Sequence, residues 1–245
     1  MPIFQALGRR SLHTLPRLSA SNAAGALQLF SETGFDTAWK QSQQFALDKL
    51  NACIVDTENE TRAPFHIMLN AQSKPELAHV FNFASLAYSN HLFFSSLGPK
   101  KTEPTGLLQR RINASFKSLE GLKASFLEAA LSLEGQGSVF LVETPEKTLE
   151  VIACNNAGSA SSYYRRDNID LNGGGSEDSV ISLNNLKNKV NAREQCFNID
   201  LLALNVWQRA YFTDYKFDKQ QYVEKWFDLI DWNQVDSRLF KGRMN

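Results

Sequence analysis

The residues best equipped for chemistry lie near the C-terminus, in the run Asn205-Val206-Trp207-Gln208-Arg209-Ala210-Tyr211-Phe212. Amides, a guanidinium and aromatic rings crowd together there, in a setting suited to holding a cation or shaping a small pocket. The types present do not suit a metal. A guanidinium has N–H donors and no lone pair to give, and an amide oxygen is at best a weak, neutral ligand. Histidines are scarce as well: the chain has 4, and none falls between His13 and His66. His91 lies on the apolar stripe of a predicted helix, where one imidazole serves either as a metal ligand or as a hydrogen-bonded core side chain. Cys53, Cys154 and Cys196 form no close pair, so no disulfide framework and no structural zinc site is indicated. Redox catalysis by a bound metal needs several deprotonated or neutral donors together, and this chain is short of them.

The elements that must position these groups can be read from periodicity. Leu201 to Val206 is a strand-like apolar run, and Tyr222, Val223, Trp226, Phe227 and Ile230 recur at helical spacing on one face. Upstream, residues 35–51 read as a helix with Phe35, Trp39, Phe45 and Leu50 among its larger apolar side chains. Pro75 opens a stronger helix that Gly98-Pro99 stops, with Leu77, Val80, Ala84, Ala87, His91 and Phe94 on its inner stripe. Residues 105–116 and 118–133 form two more helices. Ser118 is placed as the N-cap of the second, whose buried stripe is Leu119, Leu122, Phe126, Ala129 and Leu133. Residues 138–143 and 149–154 are strands joined by a turn through Pro145-Glu146-Lys147.

With 245 residues, 43% of them apolar, and 17 Phe, the chain can bury a sizeable core. Its 26 basic and 26 acidic residues balance, which gives no whole-chain case for a polyanionic partner. No apolar run approaches the ~20 residues needed to cross a bilayer. No Asp or Glu precedes Glu32, while Arg9, Arg10 and Arg17 are spread among serines and leucines. That composition fits a mitochondrial targeting leader, with a short acid-free tail as the plainer alternative. Residues 1–31 are accordingly taken as leader and N-terminal extension, 32–99 as a helical hairpin domain and 100–245 as a C-terminal α/β domain. Between about 157 and 200 lies a polar insertion containing Gly173-Gly174-Gly175, Arg165-Arg166, Lys187, Lys189 and Arg193. So long a connection is either a contact surface or a solvated loop.

The run at 205–212 resembles the Asp-Val-Trp-Glu-His-Ala-Tyr-Tyr signature of the iron/manganese superoxide dismutases. Asn90-His91, with Phe94 and Leu97-Gly98-Pro99, resembles that family's Asn-His…Phe-Trp…Leu-x-Pro segment. Pro104, Gly106, Leu107, Ile112, Phe116, Phe126, Ala129 and Ala130 follow its helical pattern. The resemblance implies an α+β fold: an N-terminal helical hairpin, then an α/β domain with a three-stranded antiparallel sheet. It also places the four metal-ligand positions at Ala38 (or its neighbour Trp39), His91, Asn205 and Arg209. Only His91 keeps a ligand type, and Arg209 brings a positive charge to where the cation would sit. Pocket tryptophans of the family are replaced by Ser95, Ser138 and Phe140, and its solvent-orienting Gln is shortened to Asn156. The Glu that reaches across the dismutase dimer axis is Gln208, so the symmetric bridge is lost with its histidine.

A dismutase frame without its ligands, behind a mitochondrial leader, resembles the superoxide dismutase-like proteins of the fungal mitochondrial small ribosomal subunit over roughly residues 34–240. Phe65-His66-Ile67, Thr102-Glu103-Pro104, Gly135-Gln136-Gly137 and Phe140-Leu141-Val142-Glu143 add to that likeness. It implies a ribosomal protein of the mitochondrial matrix, with no cofactor and no enzymatic activity. In that family two such proteins occur in one ribosome and associate, so the implied partner is a paralogous subunit held as a heterodimer, with other small-subunit proteins around it. Gln208, Arg209, Arg165 and Arg166 are the expected partner contacts, and basic pairs such as Lys100-Lys101 and Arg110-Arg111 leave ribosomal RNA contact open. The competing functions are a mitochondrial iron/manganese superoxide dismutase with a rearranged site and a non-ribosomal mitochondrial scaffold.

Overall fold

A computed structural model describes residues 13–161 and 198–241. Arg9, Arg10, Arg165, Arg166, Lys187, Lys189 and Arg193 lie outside the described residues. Helix α1 (Ala20–Leu29) starts at Ser19, whose Oγ accepts the Asn22 N–H at 3.1 Å. Its buried residues Asn22, Gly25, Ala26 and Leu29 follow a helical period. The Asn22 amide donates to the Leu97 carbonyl at 2.8 Å, and a Cβ on Gly25 would stand 2.6 Å from the Gly98 carbonyl carbon. Further upstream, His13 and Asn51 exchange two hydrogen bonds of 3.0 and 2.8 Å. Within the stretch assigned to leader and N-terminal extension, the residues from His13 onward are part of the packed fold. An acid-free composition hid a core helix whose period was present in the sequence.

The helix expected over residues 35–51 is three joined pieces: α2 (Glu32–Phe35), a π-helical stretch (Asp36–Gln41) and α3 (Ser42–Ile54). The wider π turn carries an extra residue, and with it the adjacent Ala38 and Trp39 are both buried. Helix α4 (Pro64–Ala71) begins on Pro64, whose missing N–H costs nothing in a first turn. A 3₁₀ turn (Pro75–Leu77) then leads into α5 (Ala78–Phe94). That helix ends before Gly98 because Leu97 pairs with Ile230 in a β-bridge and the Gly98 N–H donates to Leu229 O at 2.8 Å. Helix α5 is buried nearly all round rather than along one stripe, because α3, α4 and a sheet strand all pack on it.

Helix α6 (Gly106–Phe116) and helix α7 (Leu119–Ser132) are linked at Lys117, whose φ of 68° reverses the chain. Ser118 caps α7 as expected, accepting from the Gly121 N–H at 3.0 Å. The buried stripe is Leu122, Phe126, Ala130 and Leu133, with Leu119 and Ala129 only partly covered. Strands β1 (Gly137–Glu143), β2 (Leu149–Asn155) and β3 (Ile199–Asn205) form an antiparallel sheet in the order β2-β1-β3. Central β1 is buried at every residue, which makes the sheet the floor of the largest core cluster. Ser138 sits opposite Asn205. Helices α8 (Gln208–Tyr215), α9 (Lys219–Asp228) and α10 (Trp232–Lys241) close the chain. The predicted face of Tyr222, Val223, Trp226, Phe227 and Ile230 is buried throughout. Lys219 ties α9 to the end of α7 by donating to the Ala130 and Leu133 carbonyls, each at 3.0 Å. Among the described residues no helix is long and apolar enough to cross a membrane.

Candidate functional site

The π stretch, α5 and the end of β3 converge on the four positions singled out in the sequence. At their centre is a relay of side-chain amides. The Trp207 backbone N–H, an unambiguous donor, meets Asn205 Oδ1 at 3.0 Å. Asn205 Nδ2 must then face the other way, and it donates to Asn90 Oδ1 at 3.0 Å. Asn90 Nδ2 in turn donates to Gln43 Oε1 at 3.0 Å and to the Ala38 carbonyl at 3.3 Å. Gln43 Nε2 closes the relay on the Ala87 carbonyl at 2.9 Å. Gln43, Asn90 and Asn205 are all buried, and within low-dielectric surroundings such a satisfied chain is rigid. An aspartate at 205 would set a second acceptor against Asn90 Oδ1 and break it. Asn205 also fixes the wall: its carbonyl accepts from Tyr222 Oη at 2.8 Å, and Tyr222 stacks on Tyr211 with centroids 5.2 Å apart.

His91 faces the same region but takes no part in the relay. Among the described residues its buried Nδ1 has no hydrogen-bond partner, and its ring lies 6.0 Å from that of Trp39. Burial first, and then the positive charge of Arg238, hold its pKa below the ordinary 6.5. The cation that His91 feels is thus Arg238 on α10, not Arg209. Arg238 Nη1 donates to Ser96 Oγ and to the Leu201 carbonyl, both at 2.7 Å, while Nη2 donates to Ser95 Oγ at 2.9 Å. Ser95 stands where the family resemblance places a pocket tryptophan, and the smaller hydroxyl receives the guanidinium.

Arg209 corrects the sequence expectation. It is exposed, and its guanidinium lies over the Trp207 ring at 3.8 Å instead of filling a cation site. It follows β3 in the first turn of α8, whose outer face it shares. Gln208 beside it is exposed as well. Asn156 bonds to neither His91 nor Asn205. It occupies a left-handed turn position (φ 52°) that asparagine tolerates, with its N–H on the Gln136 carbonyl at 2.8 Å. Asn156 and Trp207 instead line an open cleft of about 540 Å³ with His79, Asn82, Phe83 and Leu86. Ser138 and Phe140 are buried in β1.

These groups do not fit an iron or manganese ion. Among the described residues no three His, Cys, Asp or Glu side chains come together. The one imidazole at hand is half-buried and lies within the influence of the Arg238 charge, and the Asn205 oxygen is spent on a backbone N–H. No electron transfer can be derived from this arrangement. What it does chemically is to hold three elements together through neutral hydrogen bonds.

Residues 104–167 and 174–238 match the family described as iron/manganese superoxide dismutases, C-terminal domain. The chain belongs to the iron/manganese superoxide dismutase family. Within it, small ribosomal subunit protein mS43 of Schizosaccharomyces pombe is 32% identical over 238 residues, which span 93% of this chain and 84% of that protein. Small ribosomal subunit protein mS42 of the same species is 32% identical over 190 residues, 75% of this chain and 76% of that one. An iron superoxide dismutase of Legionella pneumophila is 26% identical over 227 residues, 92% of this chain and 98% of the enzyme. The three-stranded sheet and its helices agree with the dismutase fold expected from the sequence.

Two members of the site escaped sequence reading. Gln43 is one polar residue in a run of several, and only the packing of α3 on α5 reveals that it is buried. Arg238 falls in a strongly amphipathic helix, where a charged residue reads as solvent-facing. The signal for Asn90 was available, since it precedes His91 on the inward side of α5.

Proposed function

We propose that this protein is a structural component of the mitochondrial small ribosomal subunit: a dismutase fold without dismutase chemistry, used for assembly in the matrix. The observation that carries this reading is the amide relay Gln43–Asn90–Asn205, which commits Asn205, one of the four ligand positions, to hydrogen bonds with neighbouring amides. A group that already has its hydrogen bonds gains little from a metal and loses buried pairing if it turns toward one. The similarity to mS43 and mS42 of S. pombe supports the ribosomal assignment. Those two relatives come from one species and each is similar to this chain, so the partner of choice is a paralogous subunit in a heterodimer. Exposed Gln208 and Arg209 favour contact on that side, and Arg165 and Arg166 in the insertion are proposed contacts too. Contact with ribosomal RNA is a lesser part of the proposal, since the chain's charges balance.

Sedimentation of mitochondrial lysate in a high-magnesium gradient is the direct test. The expected outcome is co-migration with the small subunit. A protein that stays at the top of the gradient would leave the free scaffold as the better reading. Plasma emission analysis of the purified chain addresses the enzyme reading, and stoichiometric iron or manganese would refute the present one.

A further inference from the structure

A groove between helix α7, the end of helix α6 and strand β2 opens to solvent and holds about 550 Å³. Phe116, Ala129, Leu149 and Val151 supply its apolar lining, and Glu128 and Glu150 complete the walls. Both glutamates are exposed, and among the described residues neither makes an ion pair or a hydrogen bond. Lys123, the one base of α7, lies 3.7 Å from Asp228 of α9 and 5.7 Å over the Phe227 ring. Arg111 of α6 and Lys147, just before β2, spend their charge on buried Glu143 at 2.6 and 3.3 Å. Strand β2 has Glu150 as its single charge. Against Lys117, exposed next to Phe116 in the chain, stand Glu120, Glu128 and Glu150, so the surroundings keep an acidic excess. Ser125 and Ser132, which share the α7 wall, donate to the Gly121 and Ala129 carbonyls at 3.0 and 3.1 Å. Neither hydroxyl hydrogen is left for an anion.

The charges narrow the occupant. An apolar floor beside unpaired carboxylates suits a cationic chain that brings apolar side chains of its own. A phosphate backbone would meet the glutamates and find no donor. A second copy docking here across a two-fold axis would set Glu128 and Glu150 against themselves. In an RNA-rich particle the neighbours neutralise phosphates with Lys- and Arg-rich segments, and a segment of that kind matches this groove. The paralogue side stays free: in the sheet order β2-β1-β3 the groove is built on β2 at one edge, while Gln208 and Arg209 follow β3 at the other.

We infer that this groove seats a basic, extended segment of a neighbouring small-subunit protein, whose Lys or Arg side chains pair with Glu128 and Glu150 while an apolar side chain lies on Phe116 and Val151. The inference rests on the ribosomal reading above and adds a site that the paralogue does not use.

The probe is a short synthetic peptide in which arginine alternates with leucine, titrated against the full chain by fluorescence anisotropy at two salt concentrations. It should bind, and versions with glutamate for arginine or serine for leucine should not. Glu128→Gln with Glu150→Gln should weaken binding about three- to tenfold and flatten its salt dependence, the range two exposed ion pairs allow. Val151→Ser should weaken it equally at both salt concentrations. Glu76→Gln, an exposed site in the 3₁₀ turn before α5, should change nothing, and melting curves should show every variant folded. In small subunits isolated from mitochondria, Glu128 and Glu150 should resist the carbodiimide coupling to an added amine that modifies them in the free chain, read by mass spectrometry. Equal binding of the peptide by the native chain and the double glutamine variant overturns the inference, as does free coupling at both glutamates in the assembled subunit. A ribosomal RNA fragment bound at Phe116 and Val151, or self-association in light scattering that the glutamine changes abolish, would overturn it as well. If the chain co-migrates with the small subunit but fails these tests, the site falls and the ribosomal reading stands. If it binds the peptide through both glutamates yet stays at the top of the gradient, the ribosomal reading falls and the named neighbour with it.

Discussion

Asn205 differs from an aspartate by one amide nitrogen, and that nitrogen carries the donor on which Asn90 depends. Asn205→Asp should therefore cost about 1–3 kcal/mol at neutral pH, the penalty for a buried polar group left facing its own kind. Denaturant unfolding checks this, and the deficit relative to the native chain should shrink in acid, where a protonated carboxyl can donate again. His91 makes a second prediction. Its folded pKa is depressed by burial and by Arg238, so the unfolded chain binds more protons below the ordinary value of 6.5. Stability should be fully present above that value and fall as the pH drops through it. His91→Gln should flatten the slope, read from unfolding free energies between about pH 7.5 and pH 5. Part of the slope should remain, since burial depresses His13 in the same direction.

At the level of elements, α10 is fastened to β3 and to the end of α5 by one guanidinium. Arg238→Met would keep much of the side-chain volume but leave the Leu201 carbonyl and two serine hydroxyls without their donor. A loss of about 3 kcal/mol is expected, with a midpoint lower by several degrees in thermal unfolding. The same scale shows why local periodicity succeeded in some places and failed in others. The faces of α7 and α9 could be read because each helix buries one side. Helix α5 could not, since it is enclosed by neighbours that no local window contains. The π stretch was equally invisible: residues 36–41 carry no pattern that separates them from an α-helix, and only their packing against α8 and α5 shows Ala38 and Trp39 turned in together.

For the molecule as a whole, the frame and the chemistry have separated. Reinstating a dismutase-like carboxylate and imidazole by combining Asn205→Asp with Arg209→His should still give no stoichiometric metal by plasma emission analysis. Position 38 or 39 would remain without an imidazole, and the Arg238 charge would still act on His91. A protein that took up one equivalent of iron or manganese after those two changes would show that the scaffold is less committed to its amide relay than the geometry implies.

The sequence by itself determined the fold family, the strand and helix order of the C-terminal half and the loss of the metal donors. These follow from residue types at fixed spacings, and a side chain without a lone pair cannot bind a metal wherever it points. Tertiary structure alone decided what Asn205 bonds to and where the charges went. Arg209 reads in sequence as an intruder in the site, yet it lies outside on Trp207, while Arg238 arrives from the far end of the chain. The N-terminal stretch likewise changed meaning once α1 was seen against Leu97 and Gly98. Hydrogen-bond partners more than a hundred residues apart, such as Asn90 and Asn205, are selected by packing, and no local pattern encodes that choice.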